Sequence, residues 1–141
     1  MDARVITPRY AVSPQISAED MPAIVAAGFK TVICNRPDAE VPPSHQAAAI
    51  RAAAEDAGLT FHELPLTHQT MTPDNVAKQR AFYEGSSGPV LAYCASGTRS
   101  SVIWSLGVAT EMTADEILGK TSAAGYPLDG LRPTLEALAG T

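Results

Sequence analysis

Two spacings of hydrophobic residues alternate along this chain. Short β-branched and aromatic runs at residues 4–6, 10–12, 30–34, 60–65 and 90–93 read as strands, the first two turning about Thr7-Pro8-Arg9. The stretches between them carry helical end signals. A helix is predicted from a Ser17 cap, with Glu19 and Asp20 in its first turn, to a stop at Gly28. A second, alanine-rich, opens at Ser44 and runs to Gly58. A third starts at Thr72-Pro73-Asp74, with a capping threonine and proline in the first helical position, and ends at residues 85–88. Residues 101–112 read as a fourth. Thr113-Ala114-Asp115-Glu116 opens a fifth as a capping box, and residues 129–139 make a short last one. Strands alternating with helices of this length predict an α/β fold, a mainly parallel central sheet flanked by helices. Residues 90–93 are apolar throughout, as in a strand buried on both faces of such a sheet.

Composition narrows the class. A chain of 141 residues fits one domain spanning 1–141, with 45% hydrophobic and 18% charged residues as in a soluble globular protein. The net charge of -5 argues against nucleic acid as a partner. No apolar stretch approaches membrane-spanning length, so no membrane partner is expected. Residues 1–5 lack a basic segment followed by an apolar core, so no signal peptide is expected, and two cysteines without disulfide density suit a cytoplasmic location. Neither CxxC nor HxxxH spacing occurs, and no metal or other cofactor is predicted.

The chemistry concentrates where the strand at 90–93 ends. Cys94 follows it directly, then Ala95, Ser96, Gly97 and Thr98, then Arg99 and Ser100. Ligands of parallel sheets sit beyond the carboxyl ends of strands, which is where Cys94 falls. Backbone N–H groups of a tight loop and a following helix converge into an anion-binding concavity, and such a field stabilises a thiolate. The reading is Cys94 as nucleophile, Ala95 to Thr98 as an N–H cradle, and Arg99 as a clamp able to grip an oxyanion with two donors. A cation at a helix N-terminus opposes the dipole, so its placement there points to a ligand. Ser100 is positioned to donate a hydrogen bond to the Cys94 sulfur.

This loop resembles the active loop of cysteine phosphatases and rhodanese-type sulfurtransferases. The segments Ile6-Thr7-Pro8, Val12-Ser13-Pro14-Gln15, Asn35-Arg36-Pro37-Asp38, Met71-Thr72-Pro73-Asp74, Leu91-Ala92-Tyr93-Cys94 and Gly130-Leu131-Arg132-Pro133 together resemble the beta-lactamase hydrolase-like protein, phosphatase-like domain family over nearly the whole chain. The resemblance implies a cysteine-phosphatase architecture of the dual-specificity phosphatase type. It also implies phosphatase-like or sulfur-transfer activity, with a persulfide dioxygenase as a partner in some members. One position departs: the family usually has arginine directly after the cysteine, where this chain has Ala95.

Two chemistries compete for the loop. Phosphatase loops typically place five residues between cysteine and arginine, and here there are four, the rhodanese pattern. A phosphatase also needs a general acid. Its natural place, Leu66-Thr67-His68-Gln69-Thr70, holds no carboxylate. His68, Asp74 and Asp38 are the accessory candidates, with loop, helix-dipole and turn roles as their plainer readings. The expectation drawn is therefore a cysteine-dependent sulfurtransferase working through a Cys94 persulfide on thiosulfate or a persulfide. The alternatives are a phosphatase acting on a phosphate ester through a Cys94 phosphocysteine, and a non-catalytic module binding an anion or persulfide. Arg36 has two readings, reaching the pocket from the neighbouring strand end or forming a structural ion pair. Cys34 reads as the end of a buried strand rather than a resolving thiol, and Trp104 as core.

Overall fold

A computed structural model describes residues 1–140. Five strands, β1 (Arg4–Thr7), β2 (Tyr10–Ser13), β3 (Thr31–Cys34), β4 (Thr60–Glu63) and β5 (Val90–Tyr93), form one sheet in the order β1-β2-β5-β3-β4. Only β1 runs antiparallel, as a hairpin partner of β2; every other pairing is parallel. All four residues of β2, β3 and β5 are buried, because helices cover both faces. Side-chain alternation then feeds two cores from one strand. Leu91 and Tyr93 join Ile24, Ile50 and Phe61 beneath α1 (Met21–Ala26) and α2 (Ala47–Asp56). Val90 and Ala92 join Trp104, Ile117 and Leu135 beneath α4 (Thr98–Gly107), α5 (Ala114–Ala123) and α6 (Arg132–Ala139). Trp104 is core, as expected, stacked 6.1 Å from the Tyr10 ring. The remaining helix, α3 (Pro73–Glu84), begins with Thr72 accepting the Asn75 N–H at 3.2 Å. Among the described residues no helix is long and apolar enough to cross a membrane.

Element boundaries depart from the pattern where polar groups or glycine intervene. Ser17 does not open a long helix. Residues Ala18–Asp20 form a 3-10 turn with Asp20 Oδ2 accepting the Ser17 N–H at 2.9 Å, and α1 starts only at Met21. Nor does Ser44 start α2. Pro42 and Pro43 lead into a 3-10 turn, the helix begins at Ala47, and Asp38 Oδ1 accepts the Ala47 N–H at 2.8 Å. Asp38 is thus a helix-start acceptor, in keeping with its structural reading. The strand expected to reach residue 65 ends at Glu63. The helix after the cysteine loop runs over Thr98–Gly107 instead of 101–112. It starts early because Gly97, at φ 102, turns the chain within one residue. Its pattern overran because Val108 and Ala109 stay in the core after the helix has ended. The last helix is a 3-10 turn, Asp129–Leu131, followed by α6.

Candidate functional site

Strand β5 lies between β2 and β3, although both precede it in sequence. The chain reverses its direction of travel across the sheet there, which opens a crevice at the carboxyl ends of the central strands. Pro14 and Gln15 follow β2, Asn35 and Arg36 follow β3, and Cys94 follows β5, all at this edge. The loop is short because Gly97 adopts a left-handed conformation. Its N–H then points back at Cys94, donating to Sγ at 3.1 Å. Ala95 and Ser96 are exposed on the rim, whereas Cys94 is buried. Gln15 N–H and Tyr126 OH hold the outer carbonyls, of Ala95 at 3.3 Å and Ser96 at 2.8 Å.

Arg99 stands in the first turn of α4, and its guanidinium is fixed from two sides. Nη1 donates to Glu40 Oε2 at 2.8 Å and to the Leu66 carbonyl at 2.9 Å, and Nη2 donates to Glu40 Oε1 at 2.8 Å. A guanidinium carries five N–H donors. These three bonds leave the Nε–H and the second Nη2–H, which form one edge of the fork and suit bidentate capture of an oxyanion. Glu40, then burial in the opposite sense, then Cys94 act on Arg99, and the net effect raises its pKa above the ordinary range. Arg36 takes the structural ion pair, with Glu40: Nε donates to Oε1 at 3.2 Å and Nη1 to Gln15 Oε1 at 3.3 Å.

Glu40 escaped the sequence reading, since nothing in its neighbourhood ties it to an arginine 59 positions away. The two arginines, Arg99 first, hold its carboxyl below the usual carboxylate range. Its contribution to stability is therefore present above its unfolded pKa, about 4.3, and is lost as pH falls through the lower folded value. Glu40 is a positioning residue for Arg99 in this geometry. Glu40→Gln is expected to raise KM for an anionic substrate about tenfold, with kcat less affected. It should also flatten the acid limb of the stability profile, read by urea unfolding between neutral pH and pH values below that range.

A buried polar network supports the loop from beneath. Asn35 Nδ2 donates to Gln79 Oε1 at 2.9 Å and to the Leu64 carbonyl at 3.0 Å, and Gln79 Nε2 donates to Asn35 Oδ1 at 3.0 Å and to Tyr10 OH at 3.2 Å. Tyr10 OH in turn donates to the Ser100 carbonyl at 2.8 Å. Ser100 Oγ donates to Asn35 Oδ1 at 2.8 Å, so it does not serve the Cys94 sulfur as expected. Ser100 is wholly buried, and Asn35 is the acceptor that its hydroxyl finds there. Gln79→Leu removes three of these buried bonds at once, two with Asn35 and one with Tyr10 OH. It is expected to destabilise the fold by about 2–4 kcal/mol, measured by urea denaturation.

The other candidates separate. His68 is exposed in the turn after β4, which Thr67 and Thr70 brace by hydrogen bonds; the same segment supplies the Leu66 carbonyl to Arg99. Asp74 pairs with Lys78 at 3.4 Å on the exposed start of α3, the helix-dipole role rather than an accessory one at the loop. Cys34 ends β3 in the core, its thiol donating to the Arg36 carbonyl at 3.4 Å, and burial pushes its pKa up. Thr98 N–H donates to Ser96 Oγ at 3.3 Å, so the hydroxyls of the cradle partly satisfy the loop itself.

A mainly parallel five-stranded sheet with helices on both faces and a cysteine-to-arginine loop at its switch point defines a phosphatase-like protein of the cysteine-phosphatase architecture. The beta-lactamase hydrolase-like protein, phosphatase-like domain family matches residues 2–111, and the chain belongs to that family. The beta-lactamase hydrolase-like protein of Agrobacterium fabrum is 32% identical over 111 residues, covering 79% of this chain and 26% of that protein. Its counterpart in Xylella fastidiosa is 29% identical over 125 residues, 87% of this chain and 29% of that protein. The chain therefore spans between a quarter and a third of the length of these relatives. A candidate phosphatase from Neisseria meningitidis superposes with TM-score 0.87 at 36% identity, over 98% of this chain and 99% of that one. One from Shewanella putrefaciens (TM-score 0.70, 18% identity, 98% and 86% coverage) and Tk-PTP in its active form (0.72, 18%, 99% and 97%) share the fold.

Proposed function

We propose that this chain is a cysteine-dependent phosphohydrolase acting on phosphate monoesters with good leaving groups, phosphotyrosine-like esters among them. One observation carries the reading. The Cys94 sulfur accepts the Gly97 N–H and neighbours a guanidinium whose oxyanion-binding edge is left open by Glu40 and Leu66. The likeness to the Neisseria candidate phosphatase over 98% of the chain supports the same chemistry. In this reading the sulfur attacks phosphorus, the S–P bond forms as the ester P–O bond breaks, and the electron pair leaves on the ester oxygen. Arg99 and the loop N–H groups bear the charge spread over the non-bridging oxygens. Water then attacks the phosphocysteine, the P–S bond breaks, and inorganic phosphate leaves as the thiolate is restored. His68, on the segment that also contacts Arg99, is the proton donor this reading assigns to the leaving oxygen. With no carboxylate in that segment, esters whose leaving group needs little protonation are favoured.

Sulfur transfer is the second reading, favoured by the four-residue spacing between Cys94 and Arg99. There the thiolate attacks the sulfane sulfur of thiosulfate, a Cys94 persulfide forms, the donor S–S bond breaks and sulfite departs. A persulfide dioxygenase belongs as partner to this reading alone. Assays with an aryl phosphate and with thiosulfate plus cyanide separate the two. Phosphate release with a phosphoryl adduct on Cys94 is the expected result. Thiocyanate formation with one extra sulfur on Cys94, and no phosphate release, overturns it. Anion binding without either product leaves a non-catalytic module.

A further inference from the structure

Beside the cysteine loop opens a groove of about 510 Å³. One wall is the rim of that loop, Ala95, Ser96 and Thr98, and the other holds Arg4, Tyr126 and Leu128. Arg4 pairs with Val12 across the β1–β2 hairpin, which puts it at the carboxyl end of β2 and thus at the same sheet edge as Cys94. Its guanidinium lies 5.5 Å from the centroid of the Tyr126 ring, a cation–π distance. Tyr126 in turn donates its hydroxyl to the Ser96 carbonyl at 2.8 Å, so one side chain spans from the loop to the arginine. Room for the guanidinium depends on Gly125, at φ 100, where a Cβ would come within 2.6 Å of Arg4 Nη1. The arginine is therefore seated, and by contacts that do not consume its charge. Its ion pair is with Asp2 at 3.1 Å, and the two side chains are 41% and 58% exposed. An exposed pair of this kind is weak and screened, and another oxyanion can replace it.

The surrounding chain carries a net charge of -5, so a ligand with two negative groups needs a cation at each. Arg99 provides one beside Cys94, and Arg4 provides one across the loop rim. Leu128 and Pro127 offer apolar surface for the carbon frame between them. We propose that this groove is the subsite for a second anionic group on the substrate, a carboxylate or a further phosphate, with Arg4 as its cation. The proposal rests on the phosphomonoester reading above and narrows it to esters bearing two separated negative groups.

Titration calorimetry on Cys94→Ser tests it with phenyl phosphate, carboxyphenyl phosphate and phenylene bisphosphate as probes. The doubly anionic probes are expected to bind about five- to tenfold more tightly than phenyl phosphate, and the tighter of the two tells whether the second group is a carboxylate or a phosphate. Adding Arg4→Gln should bring that ratio close to one. Adding Arg4→Lys should restore part of it, and adding Asp2→Asn should widen it. Equal affinity for all three probes, or a ratio that survives Arg4→Gln, overturns the subsite. Turnover of phenyl phosphate by the wild-type chain without an Arg4-dependent ratio removes the subsite and keeps the phosphohydrolase. An Arg4-dependent ratio without phosphate release does the reverse, and no binding of any probe overturns both.

Discussion

Cys94→Ser abolishes turnover of an aryl phosphate, with an expected fall in kcat of at least about a thousandfold. Serine keeps the size of the side chain and an acceptor for the Gly97 N–H now 3.1 Å from sulfur. It does not keep the nucleophile, because a hydroxyl is not ionised near neutral pH and nothing at the site is placed to take its proton. Asn35 already accepts from Ser100, and Glu40 is committed to two arginines. The unfolding midpoint should change little, so the variant isolates chemistry from folding. Substrate should still bind to it, since Arg99 and Glu40 are untouched. Retained turnover in Cys94→Ser would exclude Cys94 as the nucleophile and leave anion binding as the loop's role.

The second large effect falls at Gly97. A methyl group there meets two obstacles at once. The backbone stands at φ 102, a conformation that other residues adopt only under strain, and the added carbon would overlap the Tyr126 hydroxyl. Gly97→Ala is expected to cost about 2–4 kcal/mol of stability and to lower kcat/KM about a hundredfold, because the N–H aimed at Cys94 is carried by the residue that must move. Pairing it with Tyr126→Phe separates the causes. The double variant should recover part of the stability, since the hydroxyl is gone, yet little of the activity, since the backbone strain stays. Urea denaturation and steady-state kinetics on the same preparations read both. Wild-type activity in Gly97→Ala would mean that the loop tolerates a different backbone path.

The parts of the molecule legible in the sequence are those written locally. The apolar runs of β2, β3 and β5, the Thr72-Pro73 and Thr113–Glu116 helix starts, and the cysteine-to-arginine loop each state their purpose within a few residues. The rest is made by partners far apart in the chain. Glu40 meets Arg99, Asn35 meets both Gln79 and Ser100, and Tyr126 meets Ser96 only after the sheet has closed. A lone serine next to an arginine looks available to a neighbouring thiolate until its burial beside Asn35 is known. The placement of Arg99 at a helix N-terminus pointed to a ligand, and the anion that the fold itself brings to it is Glu40. The loop spacing alone does not decide between sulfur and phosphorus, because it fixes only the size of the loop; the family match and the whole-chain likeness to a candidate phosphatase back the phosphatase-like alternative better.

The central position of β5 also governs when the site can exist during folding. Its neighbours β2 and β3 come earlier in the chain but are held apart in the sheet by β5, pairing with it at Tyr10↔Val90 and Thr31↔Val90. Until that strand arrives, each presents an open edge, and the closing contacts are among residues 80 and 59 positions apart. Such pairings are slow to form because loop closure precedes their reward. Insertion of β5 should therefore be a late step, and it delivers the cysteine, the turn at Gly97 and the start of α4 together. Recovery of activity on refolding is expected to follow the slowest phase of sheet formation, with no active species preceding it.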